Sequence, residues 1–352
     1  MHFSVPIVYF LYARINWLKK NWNVRMDKSY RPKLTVIVPT YNEREYIKKK
    51  LGNIYEQNYP LELIEIIIVD DCSTDKTLDV VDEWFKKNPS VNAKVIVEQE
   101  RKGKIKSIFD ALKHATGSLI VITDADSLLD KNAFMNAVKY FADPVVGALT
   151  ASLKYYAGKF TDTENIYRDF YNTIRVAESK AHSTPIHSGV FQMFRKDILE
   201  KIPLHPKMED SFLASYIAFT GYRAIQVDDV WAYEPLRGSY IKTKIRRAQH
   251  NIVTFLQAKK YAKEKSVYLP TPFEKIWRME WWLYIINPWL LLVCAILLVT
   301  SVFYGSLIAL ILLGVGLMLL VLKVYRTWVL QQLYLIMAAI RNLWTREITW
   351  NK

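Results

Sequence analysis

Two carboxylates separated by one small residue, Asp124 and Asp126, follow a short apolar run at residues 119–123. Carboxylate oxygens are the ligands that hard divalent cations such as Mg²⁺ and Mn²⁺ prefer, and such a cation commonly bridges the oxygens of a diphosphate. A solvated turn would also tolerate two acids, but their position directly after an apolar run favours the end of a buried strand. The pair therefore indicates a metal and diphosphate site.

Acidic and aromatic residues also follow two earlier apolar runs. Asp70 and Asp71 come directly after the second run, where a carboxylate can accept a hydrogen bond from a nucleobase N–H. Tyr41 follows the first run and offers a ring for stacking. Ser73 and Asp75 are better explained as helix caps, because short polar side chains satisfy free backbone N–H groups.

Two further residues can be interpreted either as part of a binding or catalytic site or as ordinary structural residues. Lys104 opens a predicted helix, where it and free backbone N–H groups could face a phosphate, or it belongs to a solvated basic turn. Asp210 begins an apolar helix and is either a first-turn acid favoured by the helix dipole or a general base. Such a base would deprotonate a hydroxyl that attacks a sugar carbon opposite a diphosphate leaving group.

The elements that must hold these residues alternate between short β-branched runs and amphipathic stretches. The predicted strands are 34–38, 64–69, 94–97 and 119–123. This alternation is typical of an α/β fold with a mostly parallel sheet and flanking helices. In a doubly wound sheet, ligands bind beyond the carboxyl ends of the strands, which is where the acidic residues fall.

Two helix boundaries are also predicted. Asn42 and Glu45 resemble a capping box that opens a helix through Ile54, and a second helix over residues 104–116 would be stopped by Gly117.

The charge and the apolar residues are distributed unevenly. The chain has 48 basic and 34 acidic residues, and ten of the basic ones fall within residues 242–278 against two acidic ones. The next segment, residues 281–322, has 42 positions and no charge. Because about 20 residues cross a bilayer, this run allows two crossings and excludes a purely soluble protein. Anionic membrane lipid is therefore favoured over nucleic acid as the partner of the basic block.

The residues Tyr304-Gly305-Ser306 divide the uncharged run into predicted spans at 283–303 and 307–322, a transmembrane helical hairpin. Basic residues on both flanks predict that both ends lie in the cytoplasm. The apolar stretch at residues 3–18 is either a tilted crossing or an interfacial helix, and no cleavage site for a signal peptide follows it. Cys72 and Cys294 lie 222 positions apart and Cys294 falls inside the uncharged run, so neither a disulfide framework nor a cysteine zinc site is expected.

We expect five units. They are a membrane-associated or spanning helix at 1–30, an α/β domain at 31–237, basic interfacial helices at 238–280, the transmembrane hairpin at 281–325 and a C-terminal interfacial helix at 326–352.

The order of the motifs resembles a known family, the membrane-anchored inverting glycosyltransferases of family 2, which have the GT-A fold. The resemblance covers residues 33–251 and depends on the segments 39–43, 70–75, 103–104, 124–126 and 209–210, followed by 221–223. It implies that the α/β domain is catalytic and uses a nucleotide-sugar, a UDP-sugar or alternatively a GDP-sugar.

The resemblance also implies roles for single residues. The nucleoside side would be formed by Pro39, Tyr41, Glu43, Asp71 and Asp124, while Asp126 together with Asp124 would hold Mg²⁺ or Mn²⁺ on the donor diphosphate. Asp210 would be the catalytic base, with Glu209 beside it and the loop His187-Ser188-Gly189 next to the acceptor.

Lys104 and Arg246 or Arg247 would neutralise the leaving diphosphate. Processive members carry Gln-x-x-Arg-Trp at this place, and no tryptophan follows either arginine here. This departure argues against processive polymer synthesis.

The leading hypothesis is an inverting, metal-dependent transfer of a sugar to a polyprenyl lipid or lipid-linked saccharide, by a multi-pass cell-membrane enzyme with a cytoplasmic catalytic domain. One alternative is a processive polysaccharide synthase, for which two spans in each chain would require a homo-oligomer. A second alternative is a catalytically silent membrane scaffold, which the joint presence of Asp71, Asp124, Asp126 and Asp210 disfavours.

Overall fold

The computed structural model describes residues 4–157, 161–205, 207–235 and 240–344. Its strands are β1 Leu34–Thr40, β2 Ile64–Asp70, β3 Asn92–Val97, β4 Leu119–Ile122, β5 Leu128–Leu129, β6 Val146–Ala157, β7 Gln192–Arg195 and β8 Arg223–Pro235. Its α-helices are α1 Ser4–Asn16, α2 Arg44–Tyr55, α3 Thr77–Lys87, α4 Lys104–Leu112, α5 Ala133–Val138, α6 Thr161–Ala181, α7 Lys196–Leu199, α8 Asp210–Phe219, α9 Tyr240–Glu264, α10 Phe273–Trp281, α11 Asn287–Phe303, α12 Leu307–Leu319 and α13 Lys323–Arg341.

The described strands form one sheet in the order β3-β2-β1-β4-β7-β6-β8-β5. The neighbours β3, β2, β1 and β4 run parallel, as the sequence predicts, whereas β7 is antiparallel to both β4 and β6. Alternate residues of β1 enter two cores, with Val36 and Val38 in one cluster and Ile37 in the other. The sheet is therefore covered on both faces, and the carboxyl ends of its parallel strands meet at one edge.

The predicted capping box at Asn42 is wrong. Asn42 has a left-handed backbone with φ of 55°, and its side-chain oxygen accepts a hydrogen bond from the backbone N–H of Thr74 instead. The N-terminus of α2 is capped from another segment, because the backbone N–H of Arg44 donates to Asp75 and that of Asn42 donates to Ser73. The expectation that Ser73 and Asp75 act as caps is confirmed, and they join the loop after β2 to the start of α2.

The predicted helix at 104–116 ends earlier than expected, at Leu112. Gly117 is needed for a different reason, since a Cβ atom there would lie 2.6 Å from the backbone carbon of Leu34. Its close approach to β1, and not a helix cap, explains the glycine.

The C-terminal apolar run is helical. Helices α10 and α11 continue through a π-helical turn into one helix, Phe273–Phe303, of 31 residues. Among the described residues it alone is long and apolar enough to cross a membrane by itself; α12 and α13 pass the same test only as a pair, bent by 102°. The turn at residues 304–306 is where the sequence predicts it, while a transmembrane hairpin stays a prediction.

The two ends of the chain pack against the α/β domain. Helix α1 has 13 residues, about 20 Å, and contacts α6, where the Tyr9 hydroxyl donates to Glu178 (2.5 Å). Its other face exposes apolar side chains such as Val8 and Ile15. The choice between a tilted crossing and an interfacial helix for the N-terminal segment stays a prediction. Helix α13 packs against α9. Residues 345–352, the end of the predicted C-terminal unit, lie outside the described residues.

Candidate active site

A lysine ammonium joins the predicted donor and acceptor sides. Lys104 Nζ lies 2.8 Å from Asp124 Oδ1 and 3.5 Å from Asp210 Oδ1, and its side chain is 8% exposed. Lys104 and Asp210 are the first residues of α4 and α8, and Asp124 follows β4 by two positions. Burial acts to lower the pKa of Lys104, but the Asp124 and Asp210 carboxylates outweigh it and raise the net pKa. Lys104 is therefore a fixed positive charge between these two carboxylates.

The loop predicted beside the acceptor packs directly on this group. A Cβ atom at Gly189 would lie 2.6 Å from Asp210 Cγ and 2.7 Å from Lys104 Nζ, so only glycine fits. The loop is tied to α8, because the backbone N–H of His187 donates to the Ser211 hydroxyl and that hydroxyl donates to the His187 carbonyl. Thr150 in β6 ties Ser188 to the sheet, because its hydroxyl accepts a hydrogen bond from the Ser188 N–H.

The pKa values on the acceptor side fit a base in a desolvated cleft. Burial raises the pKa of Asp210, while Lys104 acts against that rise. Burial, followed by the like charge of Asp210, raises the pKa of Glu209 to about 8. With a pKa of about 8, Glu209 is therefore largely protonated near neutral pH. A carboxylate with a raised pKa is a stronger proton acceptor, which suits general base catalysis.

Two histidines lie in the same region. Burial lowers the pKa of His187 to about 3, so its imidazole is neutral. Burial also lowers the pKa of His250 to about 4, and its Nδ1 lies 3.8 Å from Glu209 Oε2. Both side chains line the cleft as neutral groups at pH 7.

The predicted nucleoside residues lie at the ends of β1 and β2. The backbone N–H groups of Lys102 and Gly103 donate to the two oxygens of Asp71, at 2.7 and 3.1 Å. Arg101 lies over the Tyr41 ring, with its guanidinium carbon 3.5 Å from the ring centroid, and its Nε is 3.6 Å from Asp71. The sequence does not single out Arg101, because this residue reaches Tyr41 only when the loop between β3 and α4 packs against the end of β1.

Asp70 has a structural task. It is buried, and its carboxylate accepts hydrogen bonds from the Thr40 hydroxyl and from the Ser73 backbone N–H. Of these two neighbouring acids, Asp71 therefore faces the loop that precedes Lys104, while Asp70, the last residue of β2, holds the strand ends together.

An open cleft of about 730 Å³ collects most of the predicted catalytic residues. The predicted residues in its lining are Asp124, His187, Ser188, Gly189, Glu209, Asp210, Arg246 and Arg247. The predicted residues outside its lining are Pro39, Tyr41, Glu43, Asp71, Lys104 and Asp126. Lys104 is connected to the cleft through its two carboxylate partners.

The two predicted diphosphate arginines differ in their partners. Arg247 makes a two-pronged pair with Glu234, with distances of 2.9 and 3.1 Å, and donates to the Tyr155 hydroxyl. Arg168 also donates to Tyr155. Arg246 lines the cleft beside Glu209, and burial lowers its pKa. Arg246 is therefore the better candidate for contact with a diphosphate. The sequence held no signal for Glu234, which is separated from the motifs.

A buried lysine supports the Asp124–Asp126 loop from behind. Lys50 on α2 donates to the Thr123 hydroxyl (2.5 Å), the Ser127 hydroxyl (3.0 Å) and the Ser127 carbonyl (3.2 Å). Burial lowers its pKa to about 7. Its bonds hold the residues on both sides of the two acids. The sequence gives no sign that Lys50 supports this loop, because a lysine is common in an amphipathic helix.

The donor set at this loop fits a hard divalent cation. Asp124 and Asp126 supply carboxylate oxygens, and the described residues contain no cluster of three or more acidic, histidine or cysteine side chains that could enclose a metal. A cation held by two carboxylates would take its other ligands from water and from phosphate oxygens, as Mg²⁺ commonly does.

Comparisons with known proteins identify the family of the chain. The family model described as Glycosyl transferase family 2 matches residues 35–203. A solved structure, the mannosyltransferase from Pyrobaculum calidifontis in complex with GDP-Man and Mn²⁺, is 43% identical. The alignment covers 98% of this chain and 96% of that chain, with a TM-score of 0.87.

Two curated proteins are similar over shorter lengths. The dolichyl N-acetyl-alpha-D-glucosaminyl phosphate 3-beta-D-2,3-diacetamido-2,3-dideoxy-beta-D-glucuronosyltransferase of Methanococcus voltae is 36% identical over 108 residues, which is 31% of this chain and 33% of that protein. The poly-beta-1,6-N-acetyl-D-glucosamine synthase of Staphylococcus aureus is 26% identical over 247 residues, which is 67% of this chain and 56% of that protein. The chain thus spans about a third of the first protein and about half of the second.

Similarity to the solved mannosyltransferase extends over nearly the whole chain, and the family model matches the part that contains β1 to β4 and Asp124. The predicted GT-A type sheet with flanking helices is confirmed by this match. The chain is a glycosyltransferase and belongs to glycosyltransferase family 2.

Proposed function

We propose that the chain transfers mannose from GDP-mannose, with inversion and with a divalent cation, to a lipid-linked acceptor at the cytoplasmic face of a membrane. The observation that carries the proposal is the Lys104 ammonium between Asp124 and Asp210, beside the Gly189 loop. This geometry supports a donor on the Asp124 side and an acceptor hydroxyl on the Asp210 side of one cleft.

Asp210 accepts the proton of the acceptor hydroxyl, and the hydroxyl oxygen forms a bond to the sugar carbon. The bond from that carbon to the diphosphate oxygen breaks, and the electron pair leaves with the nucleoside diphosphate. Attack opposite the leaving group inverts the configuration. Lys104 and Arg246 stabilise the charge that develops on the diphosphate. The cation that Asp124 and Asp126 would hold supplies further charge stabilisation when bound.

The donor is proposed from similarity. The mannosyltransferase structure contains GDP-Man and is 43% identical over nearly the full chain, which favours a GDP-sugar over the UDP-sugar that the motifs suggest. Tyr41 after β1, Asp71 after β2 and Arg101 in the loop between β3 and α4 would meet the nucleoside. The UDP-sugar alternative is retained for testing.

The membrane acceptor is proposed from the C-terminal helices. The 31-residue helix Phe273–Phe303 is apolar, and 11% of its most apolar window is buried, so its side chains need a lipid surface or another apolar cover. The exposed basic residues of α9, such as Lys260, precede it and would face anionic headgroups. The likeness to the dolichyl phosphate-linked transferase supports an acceptor carried on lipid.

The test is transfer by the detergent-purified full chain, with membrane lipid extract as acceptor. We expect radiolabel from GDP-mannose, and not from UDP-N-acetylglucosamine, to enter the lipid phase with Mn²⁺ and to stay in the aqueous phase with EDTA. Asp210→Asn should lower turnover by about 10²–10⁴-fold and leave GDP-mannose affinity nearly unchanged. Transfer from the UDP-sugar alone would overturn the donor, and normal turnover of Asp210→Asn would remove that residue from the mechanism.

A second candidate is processive polymer synthesis, which the 26% identity to a poly-beta-1,6-N-acetyl-D-glucosamine synthase over 247 residues supports. Ala248, and not tryptophan, follows Arg247, which disfavours it. Product length separates the candidates, because a polymerase makes long products without added lipid acceptor and a single-transfer enzyme does not.

A further inference from the structure

A second cleft adjoins the catalytic one on the side of the C-terminal helices. It is an open cleft between α6, α9, α13 and the π-helical turn of the Phe273–Phe303 helix. We call it the basic cleft, because its lining includes Arg168, Arg175, Lys244 and Arg247 and, within the part of the chain that the structure describes, no aspartate or glutamate. Four cations without a lining carboxylate are typical of an anion site.

The nearby carboxylates neutralise only part of this charge. Glu234 pairs with both Arg247 (2.9 Å) and Arg168 (3.7 Å), so one negative charge serves two positive ones. Glu178 and Glu280 lie near Arg175, and burial raises the pKa of Glu178, which favours its neutral form. Lys244 lies over the Tyr167 ring at 4.8 Å. The basic cleft therefore keeps a net positive charge.

Two buried donors point to a ligand in this cleft. Gln331 is 9% exposed, and its Nε2 has no hydrogen-bond partner among the described residues. The Nε of Arg168 is likewise buried without a hydrogen-bond partner among them. A buried donor without an acceptor destabilises a protein by about 1–3 kcal/mol, so such atoms are usually satisfied by a ligand or water.

The position of the basic cleft separates it from the donor. It shares Arg168, Arg175, Arg247 and Asn251 with the catalytic cleft, but neither Asp124 nor any residue at the ends of β1 and β2 lines it. Its far wall is formed by Tyr284, Gln331 and Tyr334, which belong to the C-terminal helices. An anion there would lie between the Asp210 side of the catalytic cleft and the segment proposed to enter the membrane.

We propose that the basic cleft binds the phosphate or diphosphate group that links the acceptor to its lipid chain. Arg175, Lys244 and Gln331 would donate to the phosphate oxygens, since charge-assisted hydrogen bonds from arginine and lysine are the strong contacts to phosphate. The lipid chain would leave along the C-terminal helices, and the acceptor hydroxyl would reach Asp210. This inference depends on the membrane acceptor of the proposed function.

The test measures binding to the detergent-purified full chain by isothermal titration, with farnesyl diphosphate, farnesol and inorganic pyrophosphate as probes. We expect farnesyl diphosphate to bind more tightly than either of the others. Gln331→Glu keeps the side-chain size and adds a competing negative charge, so it should weaken farnesyl diphosphate binding about tenfold or more. Lys244→Gln should have a similar effect. Lys113→Gln is the control, because this lysine directly follows α4, is 71% exposed and lines neither cleft.

Each outcome decides the proposal. Equal binding of farnesol and farnesyl diphosphate, or unchanged affinity in both variants, would overturn it. Equal binding of inorganic pyrophosphate would make the cleft a soluble-anion site, and a parallel loss of GDP affinity in both variants would assign it to the donor. Thermal unfolding of each variant shows whether weaker binding results from misfolding. If one variant does not fold, the other still tests the proposal. Variant-sensitive farnesyl diphosphate binding without any transfer from GDP-mannose would reject the proposed function and retain the phosphate site.

Discussion

Lys104 holds one ammonium group between two carboxylates that have different proposed tasks. Asp124 belongs to the donor side and Asp210 to the acceptor side, and the lysine is 2.8 and 3.5 Å from them. A positive charge in a buried place keeps a neighbouring carboxylate ionised, so the lysine opposes the rise in pKa that burial imposes on Asp210. One residue can thus keep the base ready and stabilise the leaving group.

Lys104→Met should change the pH dependence of turnover. A general base acts when deprotonated, so activity falls as pH decreases through its pKa. Because Lys104 is the largest influence that lowers the pKa of Asp210, its removal raises that pKa and moves the acidic limb of the kcat profile to higher pH. Turnover at pH 7 should fall as well. The measurement is kcat from pH 5 to 9 beside the exposed-lysine control Lys113→Met, and an unmoved limb would contradict the assignment of Asp210.

Gly189→Ala should impair chemistry more than donor binding. The added Cβ would lie 2.6 Å from Asp210 Cγ, so the carboxylate must move. A displacement of a catalytic group by about 1 Å lowers turnover by about 10²-fold. Gly52→Ala on α2 is the matched control, because nothing lies within 4 Å of its new Cβ. Similar kcat values in the two variants would show that the Asp210 carboxylate is not confined by this loop.

At the scale of elements, the strand ends could be predicted and their supports could not. Each end of the four predicted strands lies within two residues of the observed one. Three of them, β1, β2 and β4, are buried on both faces and are therefore nearly continuous apolar runs. The residues after the runs, Asp71 and Asp124, are therefore visible in sequence. The caps of α2 come from Ser73 and Asp75, which lie 31 positions away, and no local pattern reveals such a pairing.

The same limit applies inside the site. Lys50 contacts Thr123 across 73 positions, and Arg247 contacts Glu234, which lies on another element. The motif pattern predicted Arg246 and Arg247 as equal alternatives, and the pair with Glu234 distinguishes them only once β8 and α9 are placed together. A residue whose task depends on a distant partner belongs to no recognisable sequence motif. A residue that directly follows an apolar strand can be recognised by that position.

Lys50→Met tests the support that α2 gives to the Asp124–Asp126 loop. The substitution keeps length and removes the donor to Thr123 and Ser127, so the two acids lose a fixed position. We expect the Mn²⁺ concentration for half-maximal activity to rise about tenfold, as for the loss of one hydrogen bond to a charged group. The exposed neighbour in Lys48→Met should behave as the unchanged chain does. An equal Mn²⁺ requirement in both variants would show that the loop keeps its position without Lys50.

For the whole molecule, the arrangement of charge and apolar surface sets the orientation. The net charge of +14 is concentrated before the uncharged run, and α9 and α10 with their basic residues pack on the α/β domain. Beyond residue 288 the helix leaves the domain with its apolar side chains exposed. The proposed acceptor site lies at the junction, where Tyr284 and Gln331 meet α6 and α9. A lipid carried in the membrane could therefore present its phosphate beside the catalytic cleft.

Cysteine labelling tests whether the Phe273–Phe303 helix crosses the membrane. In a background with Cys72→Ser and Cys294→Ser, Tyr304→Cys places a thiol in the turn after α11, where the side chain is 88% exposed. Ser266→Cys places one between α9 and α10, on the domain side. A helix of 31 residues is about 46 Å long, more than the hydrocarbon core of about 30 Å, so the two thiols should lie on opposite sides.

The reagent is a membrane-impermeant maleimide. We expect Tyr304→Cys to be labelled in right-side-out vesicles and Ser266→Cys in inside-out vesicles, because the positive-inside rule keeps the basic block and the catalytic domain in the cytoplasm. Labelling of both thiols from the cytoplasmic side alone would show that the helix lies along the membrane surface. The acceptor would then reach the basic cleft from that surface, and the multi-pass arrangement would be wrong.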